Sequence, residues 1–174
     1  MFLREVGDDA RLKKTFLELP VQLYATDPNW IRPLDKDIES IFDPHKNPHF
    51  KQGEAIRWIL FNDENQPIGR VAAFYERNTK EGEVPVGGMG FFECIEDEKA
   101  AFMLFEACQN WLAERGMEGM DGPINFGERD SFWGLMVKGW EFEPTYKMPW
   151  TKPYYISFFE HYGFKDYFQQ YVYV

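Results

Sequence analysis

The sequence predicts an α/β (α+β) domain with a central mixed, mostly antiparallel sheet flanked by helices. Three observations carry that expectation. Apolar residues recur, partly in alternation, in segments between residues 55 and 94 that turn chemistry divides, as a strand meander requires. Residues 97–116 place apolar side chains at helical spacing between a capping aspartate and a stop glycine. Short strand signals flank that helix, and a strand–helix–strand crossover joined to a meander makes a mixed sheet. The 174 residues fit one domain, residues 1–174. A domain of this size buries roughly 70% of its unfolded surface, so a real core is available.

Residues 2–6 read as a first strand. Asp8 or Asp9 is placed to cap a helix running through Leu12, Phe16 and Leu19 to Pro20, with residues 21–24 continuing it. Asp27 and Asn29 around Pro28 make a turn, because proline keeps the residue before it out of the helical region. Pro33 precedes a short helix over residues 34–42, which Asp43 and Pro44 stop. Strands then fall at residues 55–61, 68–75 and 86–94, with Val71, Ala73 and Tyr75 on one face of the second. Gly87, Gly88 and Gly90 weaken the third and point to a bulge or a close backbone approach. Asp97 opens the main helix, where Ala101, Leu104, Phe105, Cys108, Trp111 and Leu112 form the apolar stripe; Arg115 and Gly116 end it. Residues 117–121 are a short strand, and residues 125–140 are glycine-punctuated, with a short helix at 133–137. Pro153 starts a helix that Gly163 ends, and residues 168–174 read as a last strand with an exposed apolar end.

Hydrophobic residues make up 44% and charged residues 28%, the balance of a folded globule. Nineteen basic against 29 acidic side chains give a net charge of −10. Such a surface repels phosphate backbones, so no nucleic-acid partner is expected, while amines are attracted. Two cysteines cannot build a disulfide framework. No apolar run approaches the ~18 residues of a membrane span, and the start Met1-Phe2-Leu3-Arg4-Glu5 lacks a signal-peptide pattern, so a cytoplasmic protein with no membrane partner is expected.

Several residues carry candidate chemistry. Glu93 ends a strand just before a helix, where ligands of open α/β sheets gather, and burial beside Phe91 and Phe92 would raise its pKa towards that of a base. The plain alternative is a solvent-facing glutamate of an alternating strand. Cys94 lies close to a helix start, but Glu93, Glu96, Asp97 and Glu98 oppose a thiolate, so it reads as an inert buried thiol, and Cys108 as core. His45 and His49 stand four apart around Pro48, which rules out helical ligand geometry, and no metal is expected. In the segment 125–134, polar groups alternate with aromatics and glycines. It reads as a ligand loop in which Asn125 and Ser131 hydrogen-bond, Arg129 clamps an acid and Trp133 forms a wall. The alternative is a structured loop with a surface charge cluster. Trp140, Tyr146, Trp150, Tyr154 and Tyr155 suit either an amine ligand or core and contact surface.

The element order resembles the GNAT fold of the acyl-CoA N-acyltransferase superfamily. The passage Gly87-Gly88-Met89-Gly90-Phe91-Phe92-Glu93-Cys94 into Ala100-Ala101-Phe102-Met103-Leu104-Phe105 carries the similarity. So does Phe158-Phe159-Glu160-His161-Tyr162-Gly163-Phe164, which is similar to the family's late helix. The resemblance implies an acyltransferase-like activity, acetyl-CoA or another acyl-CoA as cofactor, Glu93 as the base, and a tyrosine acid four residues before the late glycine. That position is Phe159, so Tyr155 or Tyr162 would have to serve. The family's glycine-rich diphosphate loop corresponds to Ile95-Glu96-Asp97-Glu98-Lys99-Ala100, which has three carboxylates and neither glycine nor arginine. The expectation is therefore a degenerate CoA site with weak or absent independent activity.

Asp27-Pro28-Asn29-Trp30, Asn47-Pro48-His49-Phe50, Gly90-Phe91-Phe92-Glu93 and Met148-Pro149-Trp150 are similar to the N-terminal half of longer bacterial GNAT-like proteins. With the apolar finish Tyr171-Val172-Tyr173-Val174, this leads us to expect a fragment of a two-domain protein. The alternative function is then a non-catalytic half that packs on a sister domain, or on a second copy as a homodimer, through its aromatic surface.

Overall fold

The computed structural model describes residues 1–77, 79–167 and 169–172. Its elements in chain order are β1 (Phe2–Glu5), α1 (Ala10–Leu23), α2 (Asp35–Ile41), a 3-10 turn (Pro48–Lys51), β2 (Gly53–Phe61), β3 (Pro67–Glu76), β4 (Lys80–Glu81), β5 (Val84–Cys94), α3 (Glu98–Ala113), β6 (Gly119–Asp121) and α4 (Tyr155–Tyr162). The meander pairs antiparallel in the order β1-β2-β3-β5-β4, and β6 joins β5 in parallel after the α3 crossover. The expected mixed, mostly antiparallel sheet is the one formed.

Local chemistry sets the helix starts. Asp9 accepts from the N–H groups of Arg11 and Leu12 at 2.8 and 3.1 Å, and Asp97 from those of Lys99 and Ala100 at 2.9 and 3.2 Å. Each carboxylate satisfies two donors that a helix start otherwise leaves orphaned. Gly163 ends α4 at φ 112°, a left-handed conformation that glycine adopts without strain.

The two-residue period of the strands sorts the core into two layers. Leu60, Val71, Ala73 and Met89 face α3 and α4. Ile59, Phe61, Ala72 and Phe91 face α1 and α2. Both sequence expectations for the β5 glycines are met. Between the pairs Arg70↔Glu93 and Ala72↔Gly90, β3 advances two residues and β5 three, so β5 carries a bulge, and Phe91 within it has φ 53°. A Cβ on Gly90 would stand 1.9 Å from the carbonyl oxygen of Ile124, the close approach of backbone that excludes any larger residue.

Two expected elements do not form among the described residues. Residues 133–137 are irregular: Gly134 has φ 91°, and Thr151 Oγ1 takes the Met136 N–H at 3.0 Å where a helix would have used a carbonyl. Of the expected last strand, residues 169–172 are not in a strand, and Phe168, Tyr173 and Val174 lie outside the described residues.

The Gly90 contact generates a direct test. Gly90→Ala must push the backbone at Ile124 aside, so we expect a loss of about 1–3 kcal/mol in urea denaturation, the usual cost of overpacking a close-packed site.

Candidate functional site

The parallel pairing of β5 with β6 ends at Gly88↔Asp121, and one further bond, from the Ile124 N–H to the Met89 carbonyl at 2.8 Å, follows it. Beyond that point the bulged end of β5 and the chain after Pro123 part. A cavity of about 410 Å³ lies there, with Phe91, Phe132, Trp150, Arg70, Glu93 and Tyr155 among its walls. Most of its wall is apolar; Arg70 and Glu93 are its buried charges.

Glu93 is 8% exposed and is held from several sides. The hydroxyls of Tyr24, at the end of α1, and Tyr155, at the start of α4, each donate to its Oε2 at 2.8 Å. These helices cover opposite faces of the sheet, and both reach one oxygen because it lies where β5 leaves the sheet. Arg70 Nη2 on β3 stands 3.9 Å from Oε1, an ion pair without a close hydrogen bond. Arg70 is 4% exposed; its Nη1 donates to the Phe16 carbonyl, and its guanidinium lies 4.7 Å from the Phe16 ring centroid.

Burial raises the Glu93 carboxyl above its ordinary value, and Arg70, the two tyrosine hydroxyls and Lys152 pull the other way. Burial, then the Glu93 charge, lifts both Tyr24 and Tyr155 far above the ordinary phenol value, so neither ionises near neutrality. Burial lowers Arg70. It raises the Cys94 thiol, with Asp97 and Glu93 adding to the effect, which agrees with an inert thiol.

The structure thus brings together two of the residues singled out in the sequence, Glu93 and Tyr155. Tyr162 is placed elsewhere, its hydroxyl donating to Gln109 of α3 at 2.6 Å. The 125–134 loop divides. Asn125 and Arg129 border a separate, smaller pocket, where Asn125 Nδ2 donates to the Glu128 carbonyl at 3.3 Å. Ser131 bonds Asp130 at 3.2 Å, and Trp133 packs beside Phe74, Ile124 and Phe126. The loop's contribution to the large cavity is Phe132 and Gly134. Tyr24 and Arg70 went unrecognised in the sequence. No motif marks them; the available signal was only that each is a polar residue among apolar neighbours. Among the described residues no group of three or more His, Cys, Asp or Glu could hold a metal ion, and no helix is long and apolar enough to cross a membrane.

A meander, a helical crossover, a bulged strand parting from its parallel neighbour and a late helix at the gap define a GNAT-like domain. The solved structures agree. AAC(6')-Iy in complex with the bisubstrate analogue CoA-S-monomethyl-acetylneamine superimposes with a TM-score of 0.54 at 14% identity, over 99% of this chain and 96% of that one. The aminoglycoside 6'-N-acetyltransferase AAC(6')-IG of Acinetobacter haemolyticus gives 0.53 at 13% identity, over 100% and 97%. At these identities the likeness establishes the fold. Among curated proteins, the chain is 34% identical over 148 residues to "Bacterial ceramide synthase" of Caulobacter vibrioides, covering 82% of this chain and 37% of that protein. It is 30% identical over 156 residues to "Protein YghO" of Escherichia coli, covering 87% and 38%. The aligned region is thus well under half the length of both relatives. No family model matches the chain.

The raised Glu93 value fixes a sign. A carboxyl whose folded pKa lies above its ordinary 4.5 adds stability in full below that value and loses it as pH rises through the folded one. Glutamine does not titrate. The stability of Glu93→Gln relative to the native protein should therefore improve as pH climbs from about 4.5 towards neutrality, as measured by urea denaturation at stepped pH. A gap that stays constant would contradict the assigned direction.

Proposed function

We propose that this chain is an acyltransferase-like domain that takes a long-chain amine into the cavity and removes a proton from its nitrogen with Glu93, while holding a CoA diphosphate weakly or not at all by itself. One observation carries the reading: a buried, hydrogen-bonded carboxylate in the wall of a largely apolar cavity of about 410 Å³. The fold neighbours named as N-acetyltransferases support amine acylation, and the relative named a ceramide synthase supports a long-chain acceptor, since a ceramide is the amide of a long-chain amine.

An alkylamine resembles lysine, with a pKa of about 10, and arrives at neutral pH as an ammonium ion without a nucleophilic lone pair. Glu93 Oε2 is occupied by two phenols, which leaves Oε1 to attract the ammonium and accept its proton. A carboxyl raised by burial is the stronger base for that task. The apolar walls exclude water and receive the alkyl chain at roughly 0.8 kcal/mol per buried CH₂.

The start of α3, where the family resemblance would seat a diphosphate, does not fit one. Asp97 Oδ1 already accepts from the Lys99 and Ala100 N–H groups, and Glu98 pairs with His161 Nδ1 at 2.5 Å. Like charges ~4 Å apart cost about 1 kcal/mol in water and ~4 at an effective dielectric of 20. A helix-dipole contact returns only ~0.3–1 kcal/mol at an exposed site.

A second reading, a non-catalytic half that packs on a sister domain or a second copy, draws on the exposed Val137, Phe142, Tyr171 and Val172 and on the much greater length of both relatives. Sedimentation distinguishes it: concentration-dependent self-association, weakened by Phe142→Ser, would favour that reading.

Two measurements test the main reading. Hexadecylamine should bind the chain in a calorimetric titration, and Glu93→Gln should weaken it at least about tenfold, a loss of ~1.4 kcal/mol, while hexadecanol binding stays the same. Equal amine binding by both proteins would refute the role given to Glu93. In a parallel titration, replacing Glu96, Asp97 and Glu98 by Gly, Gln and Gly should raise CoA affinity; an unchanged response would refute the electrostatic account of the α3 start.

A further inference from the structure

Each tyrosine that grips Glu93 has a second acceptor within reach. The Tyr24 hydroxyl lies 2.8 Å from Glu93 Oε2 and 3.2 Å from the Trp150 carbonyl oxygen. The Tyr155 hydroxyl lies 2.8 Å from Oε2 and 3.2 Å from the Cys94 carbonyl oxygen, and its own oxygen accepts from the Cys94 N–H at 2.9 Å. A phenol has one proton and can serve only one of its two acceptors fully at a time. Both residues are about 1% exposed or less, so water cannot make up for a bond that is lost.

We infer that Tyr24 and Tyr155 are positioning residues that form a two-way cradle, each turning its single O–H between Glu93 Oε2 and a backbone carbonyl so that the buried carboxyl is served in both of its protonation states. The inference deepens the function proposed above, since a buried base has to be housed after it has taken a proton as well as before. With Glu93 ionised, both phenols donate to Oε2, and a charge-assisted bond is stronger than one to a neutral oxygen. When Oε1 takes the ammonium proton, Oε2 becomes the weaker oxygen of a neutral acid. Each phenol O–H then has a carbonyl to turn to: the Cys94 oxygen already accepts from the Tyr154 hydroxyl at 2.8 Å, and its second lone pair serves Tyr155. Only one proton changes owner, from ammonium nitrogen to Glu93; the phenols keep theirs and change direction. Without the two carbonyls, protonation would weaken the only bonds of two buried donors, and a buried donor without a partner is costly.

The titratable groups facing Glu93 are Arg70 on β3, Tyr24 at the end of α1, Tyr155 on α4, Tyr154 just before it, Lys152 in the segment before α4, and the neighbouring Cys94. Arg70, Tyr24, Tyr155 and Lys152 favour the carboxylate; the Cys94 thiol stays protonated. Tyr24 has a further consequence. The Trp150 carbonyl belongs to the segment that walls the cavity, so the proton on Glu93 and the hold of α1 on that wall are linked through one hydroxyl.

Infrared difference spectra of the whole chain, titrated in pH without ligand and referenced to Glu93→Gln, test this independently of any acyl transfer. In the native protein the Glu93 carboxyl band and a tyrosine C–O band should change with one shared midpoint. Tyr24→Phe and Tyr155→Phe should each move the carboxyl midpoint upward by about one pH unit, a tenfold change in proton affinity, with the fold checked by circular dichroism. If one variant does not fold, the other and the native tyrosine band still decide the matter. A tyrosine band that ignores the carboxyl titration, or an unmoved midpoint in a folded variant, overturns the cradle. Failure of the amine to bind would overturn the proposed function and leave this titration standing.

Discussion

A carboxylate withdrawn from water costs several kcal/mol unless its surroundings replace what water supplied, and in this domain four elements converge to do so for Glu93. Helix α1 ends on Tyr24, α4 begins on Tyr155, β3 contributes Arg70, and β5 holds the glutamate itself. A hydrogen bond to a charged group is worth about 1.5–3 kcal/mol, so two phenols on Oε2 recover much of the desolvation. The arginine at 3.9 Å adds a longer-range attraction. The dependence runs both ways. The carboxylate would be unstable without these neighbours, and the ends of α1 and α4 are fixed against the sheet by bonds to it, while Tyr24 also reaches the Trp150 carbonyl on the cavity wall.

That convergence needs a gap in the sheet. In an unbroken sheet a side chain meets only the layer it faces, and α1 and α4 lie in opposite layers. The extra residue in β5 and the close passage of Ile124 over Gly90 bring the two strands together for one last bond and then send them apart. The bulge therefore produces both features at once: a carboxylate reachable from two layers, and an apolar space beside it large enough for a ligand. Filling Gly90 would disturb the joint on which both depend.

How legible all this was in the sequence follows from how local each cause is. Asp9 and Asp97 act on N–H groups two and three residues ahead, so the starts of α1 and α3 can be read directly. The β2–β3 hairpin and the β5 bulge announce themselves through alternation and glycines. Glu93 stood out as a charged residue between an aromatic pair and a helix start, and Tyr155 through its place near the late glycine. Tyr24 lies 69 residues from Glu93, and nothing near it in the chain hints at the bond. Arg70 sits in an apolar strand, where a long cation usually snorkels to solvent; here it is enclosed. In the 125–134 loop, Asn125 Nδ2 and the Ser131 hydroxyl bond within the loop, while the aromatic Phe132 reaches the cavity, a division that the alternation of polar and aromatic residues did not reveal. Over residues 133–137 the positive φ of Gly134 and the Met136 N–H bond to Thr151 compete with a helix across a span too short to nucleate one.

The two ends of the β5–α3 connection now stand in contrast. At the strand end, a buried charge is surrounded by donors. At the helix start, the donors are already spent on Asp97, whose cap is worth about 1 kcal/mol. On the proposed reading, a diphosphate arriving there would regain from the Lys99 and Ala100 N–H groups little more than it lost by displacing that carboxylate. Glu96 and Glu98 would still repel it. Lys99 is the one cation in the first turn, and His161 is engaged with Glu98. On the same proposal, a nucleotide held at this place would need cations brought by another segment or another chain. The amine activation proposed for Glu93 asks for nothing of the kind, because the cavity, the carboxylate and the groups that hold it all come from the described residues.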